Sequence, residues 1–408
     1  MFEQEINPVG VRAAELVVGI PSFREADTIP YPTIQADEGL VRYFPEKLSV
    51  IINCDNDSPD NTRDSFLNTP TRIPKIYLST PPGVTGKGNN LRNLFRKAVE
   101  LNARAVVVID ADLRSITPEW VKHLAEPLFS GYSFVSPLYV GHKYDGTLTN
   151  GIVYPLLRTL YGRRIRQPTG GESGFSGSLA KIFLSSDFWD DRTAHMGIDI
   201  WMITLALNAG VRCCQAFMGG PKTHRRREAG AATRALMFRQ AVGTLFSLMA
   251  RFENLWLRVK YSKPTPMHGL GAAVREMPPR ADLNAEGMIQ EFYRGFELYG
   301  PLWEKMLSPG MYNKLMEVKG LRRALFSFPT DLWARILYDA ALSYRDAVLS
   351  RDEMMNALIP LFYGRTYSFV RKTRRMSTRQ AEETIEEDCT TFEMTKPYLV
   401  RRWRETVA

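Results

Sequence analysis

Val107-Val108-Ile109-Asp110-Ala111-Asp112 is the stretch on which the fold of this chain turns. A run of β-branched apolar residues with no polar alternation reads as a strand covered on both faces. It ends in two carboxylates one residue apart. Three earlier runs have the same character: Leu16 to Ile20, closed by Pro21; Leu48 to Asn53; and Lys75 to Leu78. Between the third run and Val107, Leu91, Leu94, Phe95 and Val99 recur at helical spacing, which predicts a crossover helix over Asn89 to Leu101. Strands alternating with such segments define βαβ units. The expected fold class is therefore α/β, a mostly parallel, Rossmann-like sheet with helices on both faces. Sheets of this kind bind ligands at the carboxyl ends of their strands.

After Arg227 the pattern changes. Met237, Val242, Leu245, Met249, Phe252, Trp256 and Val259 trace one face of a long helix. A Pro-containing connector runs from Ser262 to Arg280. Helical patterns then cover Met288 to Met306, Thr330 to Leu349 and Arg351 to Lys372, with Thr330 and Asp331 read as capping residues. The expected division is a catalytic sheet domain over 1–228 and an all-α region over 229–408, which would cover the site, form a homodimer, or both.

Composition narrows the classes. The 408 residues carry 53 Lys+Arg against 44 Asp+Glu, a net charge of +9, with 44% hydrophobic residues, so the chain is globular and not disordered. No apolar run reaches the ~18–20 residues that span a bilayer. The first ten residues include Glu3 and Glu5 and lack a signal-peptide core. Cys54, Cys213, Cys214 and Cys389 show no metal-type spacing, which favours a reducing, cytoplasmic setting. The +9 is compatible with nucleic acid, a membrane surface or a small anionic ligand.

A D-x-D at a strand end suits a hard cation, Mg²⁺ or Mn²⁺, that bridges phosphate oxygens; strand-end aspartates also simply cap turns. Three segments stand beside it. Gly19-Ile20-Pro21-Ser22-Phe23-Arg24-Glu25 closes the first strand, and Cys54-Asp55-Asn56-Asp57-Ser58 closes the second. Pro82 to Asn89, with Gly86-Lys87-Gly88, opens the crossover helix. The last lacks P-loop spacing, which excludes a Walker NTPase, but a Lys at a helix start can meet a diphosphate.

In this order the motifs resemble a GT-A fold nucleotide-sugar glycosyltransferase. Gln167-Pro168-Thr169-Gly170-Gly171-Glu172, Met196-Gly197-Ile198-Asp199 and Lys222-Thr223-His224-Arg225 are similar to segments of the mannosylglycerate, glucosylglycerate and glucosyl-3-phosphoglycerate synthases, which are retaining enzymes. The likeness covers about Leu16 to Arg227 and continues faintly to Phe326-Ser327-Phe328 and Asp331-Leu332-Trp333. It implies that Pro21, Phe23 and Glu25 line the base and ribose pocket, and that Asp55 or Asn56 reads the base. Lys87 would meet the diphosphate, Asp110 and Ala111 the ribose or sugar, and Gly171, Glu172 and Asp199 the donor sugar. Asp112 and His224 would hold the cation. Asp199 or Glu172 could act as nucleophile, although the family reading is attack by the acceptor from the leaving-group face. For a glycerate-like acceptor the loop offers Lys143, Asp145, Thr149 and Asn150. The family's Arg is out of register, and Arg166 follows in the next segment.

The implied reaction moves a hexose from a GDP- or UDP-sugar to a small anionic acceptor. Two alternatives stand against it. A polysaccharide- or lipid-directed transferase often carries Q-x-x-R-W, but Leu399 stands where the Gln before Arg402-Trp403 would be. A nucleic-acid binder would use Arg225-Arg226-Arg227 and Arg371 to Arg375, the latter offset by Glu382, Glu383, Glu386, Glu387 and Asp388.

Overall fold

The computed structural model describes residues 3–225, 230–269, 278, 281 and 283–405. Its strands in chain order are β1 (Gln4–Ile6), β2 (Leu16–Ser22), β3 (Ser49–Asp55), β4 (Lys75–Ser79), β5 (Ala105–Val108), β6 (Phe134–Leu138), β7 (Arg163–Arg164), β8 (Ser173–Ser176), β9 (Cys213–Phe217), β10 (Lys263–Pro264) and β11 (Met267–His268). Nine of them form one sheet in the order β1-β4-β3-β2-β5-β8-β6-β9-β11. Within it β4, β3, β2 and β5 run parallel, whereas β1 and β8 are antiparallel to their neighbours.

The chain starts its parallel strands at β2, winds outward to β4, then returns to place β5 on the other side of β2. That reversal is the switch point at which open α/β sheets form a crevice. Side chains alternate across each strand. Leu16, Val18 and Ile20 join Val107, Leu40 and Trp120 in one core, with helices Pro30–Tyr43 and Pro118–Phe129 packed together beside it. On helices Lys87–Glu100, Gly177–Ser185 and Ile198–Asn208, Phe95, Phe183 and Trp201 make a second aromatic layer with Phe175 of β8. Gly19 belongs to that face, where a Cβ would lie 2.2 Å from a Leu94 methyl.

The chain divides into two compact units. The sheet unit comprises Met1–Gly141, Ile165–Glu228 and Thr265–Pro278; the helical unit comprises His142–Arg164, Ala229–Pro264 and Pro279–Ala408. The expected cut at 228/229 lies outside the described residues, and the division has two further exchanges of chain that composition did not reveal. In the helical unit the expected helices occur as Ala285–Met306, Thr330–Arg345 and Arg351–Thr373. The long helix expected through Val259 ends at Arg251, with a short turn Glu253–Trp256 after it. Helices Tyr154–Tyr161, Pro309–Gly320 and Thr378–Glu405 also belong to this unit. Thr330 does not cap its helix. It is the first helical residue, and its hydroxyl donates to Asp388 at 2.6 Å.

No helix among the described residues is long and apolar enough to cross a membrane. The four cysteines are free thiols, and burial pushes the Cys214 thiol up to about 12. One ion network is central to the helical unit. Arg158, 3% exposed, gives Nη1 to Glu386 and Nε to Glu393, each at 2.5 Å. Removing one partner of a buried charge set strands the others. Arg158→Met should therefore lower stability by about 3–5 kcal/mol in urea unfolding. Arg379→Ala, at an exposed i,i+4 pair with Glu383, should change it by no more than about 0.5 kcal/mol.

Candidate active site

The site grows from the switch point between β2 and β5. Antiparallel β8 pairs Val108 with Ser173, so the residues just before β8 arrive beside those just after β5. This register delivers Gly171 and Glu172 to Asp110, and the Asp110 amide faces Glu172 Oε1 at 3.4 Å. Two lysines converge on the same carboxylate. Lys87 Nζ, from the first turn of helix Lys87–Glu100, donates to Asp110 Oδ1 at 2.7 Å and to the Gly171 carbonyl at 3.0 Å. Lys222 Nζ donates to Asp110 Oδ2 at 3.1 Å and the Gly170 carbonyl at 2.6 Å, and reaches Glu172 Oε2 at 2.7 Å. Tyr139 donates its hydroxyl to that same Glu172 oxygen at 2.5 Å. Asp199, in the first turn of helix Ile198–Asn208, lies 3.9 Å from Lys87.

Two cations therefore serve three carboxylates. Burial works against ionising Asp110, but Lys87 and Lys222 hold its carboxyl well below the ordinary range. Burial pushes Glu172 and Asp199 upward, with Lys222 and Lys87 respectively pulling them back. Burial likewise opposes both ammonium groups, yet the surrounding carboxylates raise Lys87 and Lys222 above the usual lysine value. Burial and the Glu172 charge drive the Tyr139 hydroxyl far up, so it is a donor at any ordinary pH.

The glycines of Gly86-Lys87-Gly88 have a packing cause. Gly86 has φ +111°, and a Cβ there would lie 2.2 Å from the Ala194 carbonyl oxygen. At Gly88 a Cβ would lie 2.0 Å from the Thr193 oxygen. Only glycine lets the 193–194 backbone approach that closely.

Asp112 and His224 form a second pair. The loop after β5 zips against the segment after β9: the Arg114 amide donates to the Thr223 carbonyl at 2.9 Å and the Arg225 amide to the Asp112 carbonyl at 3.0 Å. This brings His224 Nδ1 to 2.9 Å from Asp112 Oδ1. Neighbouring ligands on an octahedral cation with bonds of about 2.1 Å stand about 3 Å apart, so the pair fits Mg²⁺ or Mn²⁺. No cluster of three or more His, Cys, Asp or Glu residues suited to a metal occurs among the described residues. A cation here would take its other ligands from water and phosphate, as Mg²⁺ commonly does.

The expected base readers are differently employed. Asp55 accepts from Ser22 Oγ, from the Ser58 amide and hydroxyl, and from Tyr77. Asn56 accepts from the Gly86 amide and donates to Asn90. Both side chains brace the loops around β2 and β3. Pro21 is buried in β2, Phe23 is 39% exposed, and Glu25 is buried, accepting from Thr28 at 2.6 Å. Ala111 is packed in the core.

The acceptor candidates divide between the units. Arg166 lies in the sheet unit, where its amide donates to Gln215. Lys143, Asp145, Thr149 and Asn150 lie in the helical unit. There Lys143 caps a helix, donating to the carbonyls of Thr373, Arg374 and Met376 at 2.9, 3.3 and 2.7 Å. This contradicts its expected place among the acceptor-binding residues, because its three N–H donors are taken. Asp145 accepts from the His142 amide, and Thr149 opens a π-helical turn ending at Val153. Asn150 borders a cavity in that unit beside the Arg365–Asp388 pair.

Sequence reasoning placed Lys222 and Gln167 in motifs without giving either an individual role, and it missed Tyr139. For Lys222 a signal existed: it stands two residues before His224 on an extended segment, and such residues share a face. Gln167 binds the Tyr139 amide at 2.8 Å and its carbonyl at 3.1 Å, which fixes the backbone that carries the tyrosine.

Comparison with known proteins finds similarity to solved structures of glucosyl-3-phosphoglycerate synthase from Mycobacterium tuberculosis. Its complex with Mn²⁺, UDP and phosphoglyceric acid is 25% identical, over 58% of this chain and 78% of that one, with a TM-score of 0.46. Its complex with Mn²⁺, UDP-glucose and phosphoglyceric acid is 26% identical, over 58% and 79%, with a TM-score of 0.44. Its complex with Mg²⁺ and UDP is 24% identical, over 58% and 79%, with a TM-score of 0.46. No family model and no curated protein sequence matches the chain.

Gly171 is the tightest point of the cluster. It has φ +89°, and a Cβ would lie 2.5 Å from Lys222 Nζ and 2.7 Å from Asp110 Oδ2. Gly171→Ala should cost about 1–3 kcal/mol in thermal or urea unfolding, through backbone strain and displaced charges.

Proposed function

We propose that this protein is a retaining glycosyltransferase that moves a hexose, glucose or mannose, from a nucleotide diphosphate sugar to a small anionic acceptor such as glycerate or 3-phosphoglycerate. The observation that carries the reading is the convergence of Lys87 and Lys222 on Asp110, beside the Asp112–His224 pair and at the sheet's switch point. Such a site offers fixed cations to a diphosphate and a carboxylate to sugar hydroxyls.

Asp112 and His224 would hold Mg²⁺ or Mn²⁺, and the bound cation would supply Lewis-acid neutralisation of the leaving diphosphate. Lys87 adds a preorganised charge on the same leaving group. Phe23 offers its exposed ring to the base, and buried Glu25 a carboxylate to the ribose. Asp110, released from its lysines, would accept from a sugar hydroxyl. Glu172 is a poor nucleophile here, since its side chain is sealed from solvent and held by Lys222 and Tyr139. Asp199, 19% exposed, faces the same lysine as Asp110 and suits sugar binding. Attack by the acceptor on the leaving-group face therefore fits these residues better than double displacement.

The nucleic-acid alternative finds part of its basic cluster engaged within the protein. Arg371 donates to the carbonyls of Arg323, Ala324 and Phe326, and Lys372 pairs with Glu387 at 3.4 Å. Arg226 and Arg227 lie outside the described residues.

The test is a screen of GDP-, UDP- and ADP-sugars with glycerate and 3-phosphoglycerate, reading nucleoside diphosphate release. The product is expected to keep the donor's α configuration, and a β-linked product by NMR would refute the assignment. Asp112→Ala and His224→Ala should each lower cation-stimulated transfer about 10²–10³-fold. Full activity of either variant in a chelator would refute the cation site.

A further inference from the structure

The ionic cluster holds one more cation than the motifs assigned, and its exposure is graded. The side chains of Lys87, Lys222 and Asp110 are 17%, 15% and 19% exposed, whereas that of Glu172 is 0% exposed. A ligand entering from solvent reaches the two ammonium groups and Asp110, and does not reach Glu172. Lys222 has three N–H donors and three acceptors: the Gly170 carbonyl, Asp110 and Glu172. The first and last of these are fixed parts of the fold. The Asp110 contact, at 3.1 Å, is the longest of the three.

Resting on the proposed function, we infer that Lys222 is a second catalytic cation on the departing diphosphate, and that Glu172 and Tyr139 are its positioning residues. Lys222 exchanges Asp110 for a phosphate oxygen when the donor binds, while Glu172 and the Gly170 carbonyl keep its ammonium in place. Tyr139 occupies the Glu172 oxygen from the other side and so holds that carboxylate toward Lys222. In the transfer, the bond between the anomeric carbon and the diphosphate oxygen breaks, and its electron pair stays on that oxygen. The new bond joins the anomeric carbon to the acceptor hydroxyl oxygen, whose proton passes to the departing diphosphate. Lys222 neutralises the charge that develops on the leaving oxygen and keeps its own proton.

The experiment uses the full chain with UDP, GDP and ADP as binding probes, each with Mn²⁺ and with EDTA, alongside transfer kinetics on the best donor. Lys222→Met should weaken nucleoside diphosphate binding about tenfold even in EDTA and lower kcat about 10²–10³-fold. Lys222→Arg should recover part of both. Because Lys222→Met leaves buried Glu172 without its cation while Asp110 keeps Lys87, the double variant Lys222→Met/Glu172→Gln restores the charge balance; it should fold, by circular dichroism, and stay as slow. Tyr139→Phe should lower kcat several-fold with KM unchanged. Wild-type binding and kcat in a folded Lys222→Met or double variant would overturn this inference alone. A wild-type protein that binds none of the three diphosphates would overturn the functional reading and this inference with it.

Discussion

One carboxylate holding two ammonium groups is the constraint around which the sheet unit is arranged. Asp110 is half-buried, and Lys87 and Lys222, which flank it, offset the cost of shielding its charge from water. Those lysines are tolerated there because Glu172 and Asp199 share their charge. Each contributor comes from a different stretch of chain: the end of β5, the crossover helix, the approach to β8, a helix start and the segment beyond β9. The antiparallel insertion of β8 between β5 and β6 is what makes the meeting possible. A fully parallel sheet would have brought the start of β8 to the opposite edge.

The parts legible in sequence were those dictated by local periodicity. Continuous apolar runs marked β2, β3, β4 and β5, and the spacing of Leu91, Leu94, Phe95 and Val99 marked their crossover helix. Resemblance singled out Lys87, Asp110, Glu172 and Asp199, which the fold brings into one cluster. What stayed hidden was set by distant pairing. Lys222 meets Asp110 across more than a hundred residues, and Tyr139 is placed by the amide of Gln167. The resemblance assigned the base to Asp55 or Asn56; here Asp55 accepts from neighbouring hydroxyls and an amide, and Asn56 is engaged by the Gly86 amide and by Asn90. Thr330 looked like a cap because local pattern cannot reveal that Asp388 takes its hydroxyl.

The net charge of +9 also takes on a different meaning. Several basic side chains act on backbone carbonyls and not on ligands. Lys143 and Lys75 each close a helix end with three carbonyl contacts, and Lys396 ties Thr159, Trp256 and Val259 in the same way. Cations are favoured at helix C-termini by the exposed carbonyls and the helix dipole. Lys87 and Lys222, by contrast, are turned toward carboxylates in the cluster around Asp110.

The order in which the chain visits its two units has a consequence for how this protein can be divided. The sequence passes between them five times, at 141/142, 164/165, 228/229, 264/265 and 278/279. A single cut after the last motif would leave β9 without its parallel neighbour β11, exposing a strand edge of the kind that promotes association. It would also leave 142–164 attached to the wrong fragment, with Arg158 separated from Glu386 and Glu393. Neither half of such a cut coincides with one of the two compact units. Insertions tolerated at a shared boundary would have to leave the other crossings intact.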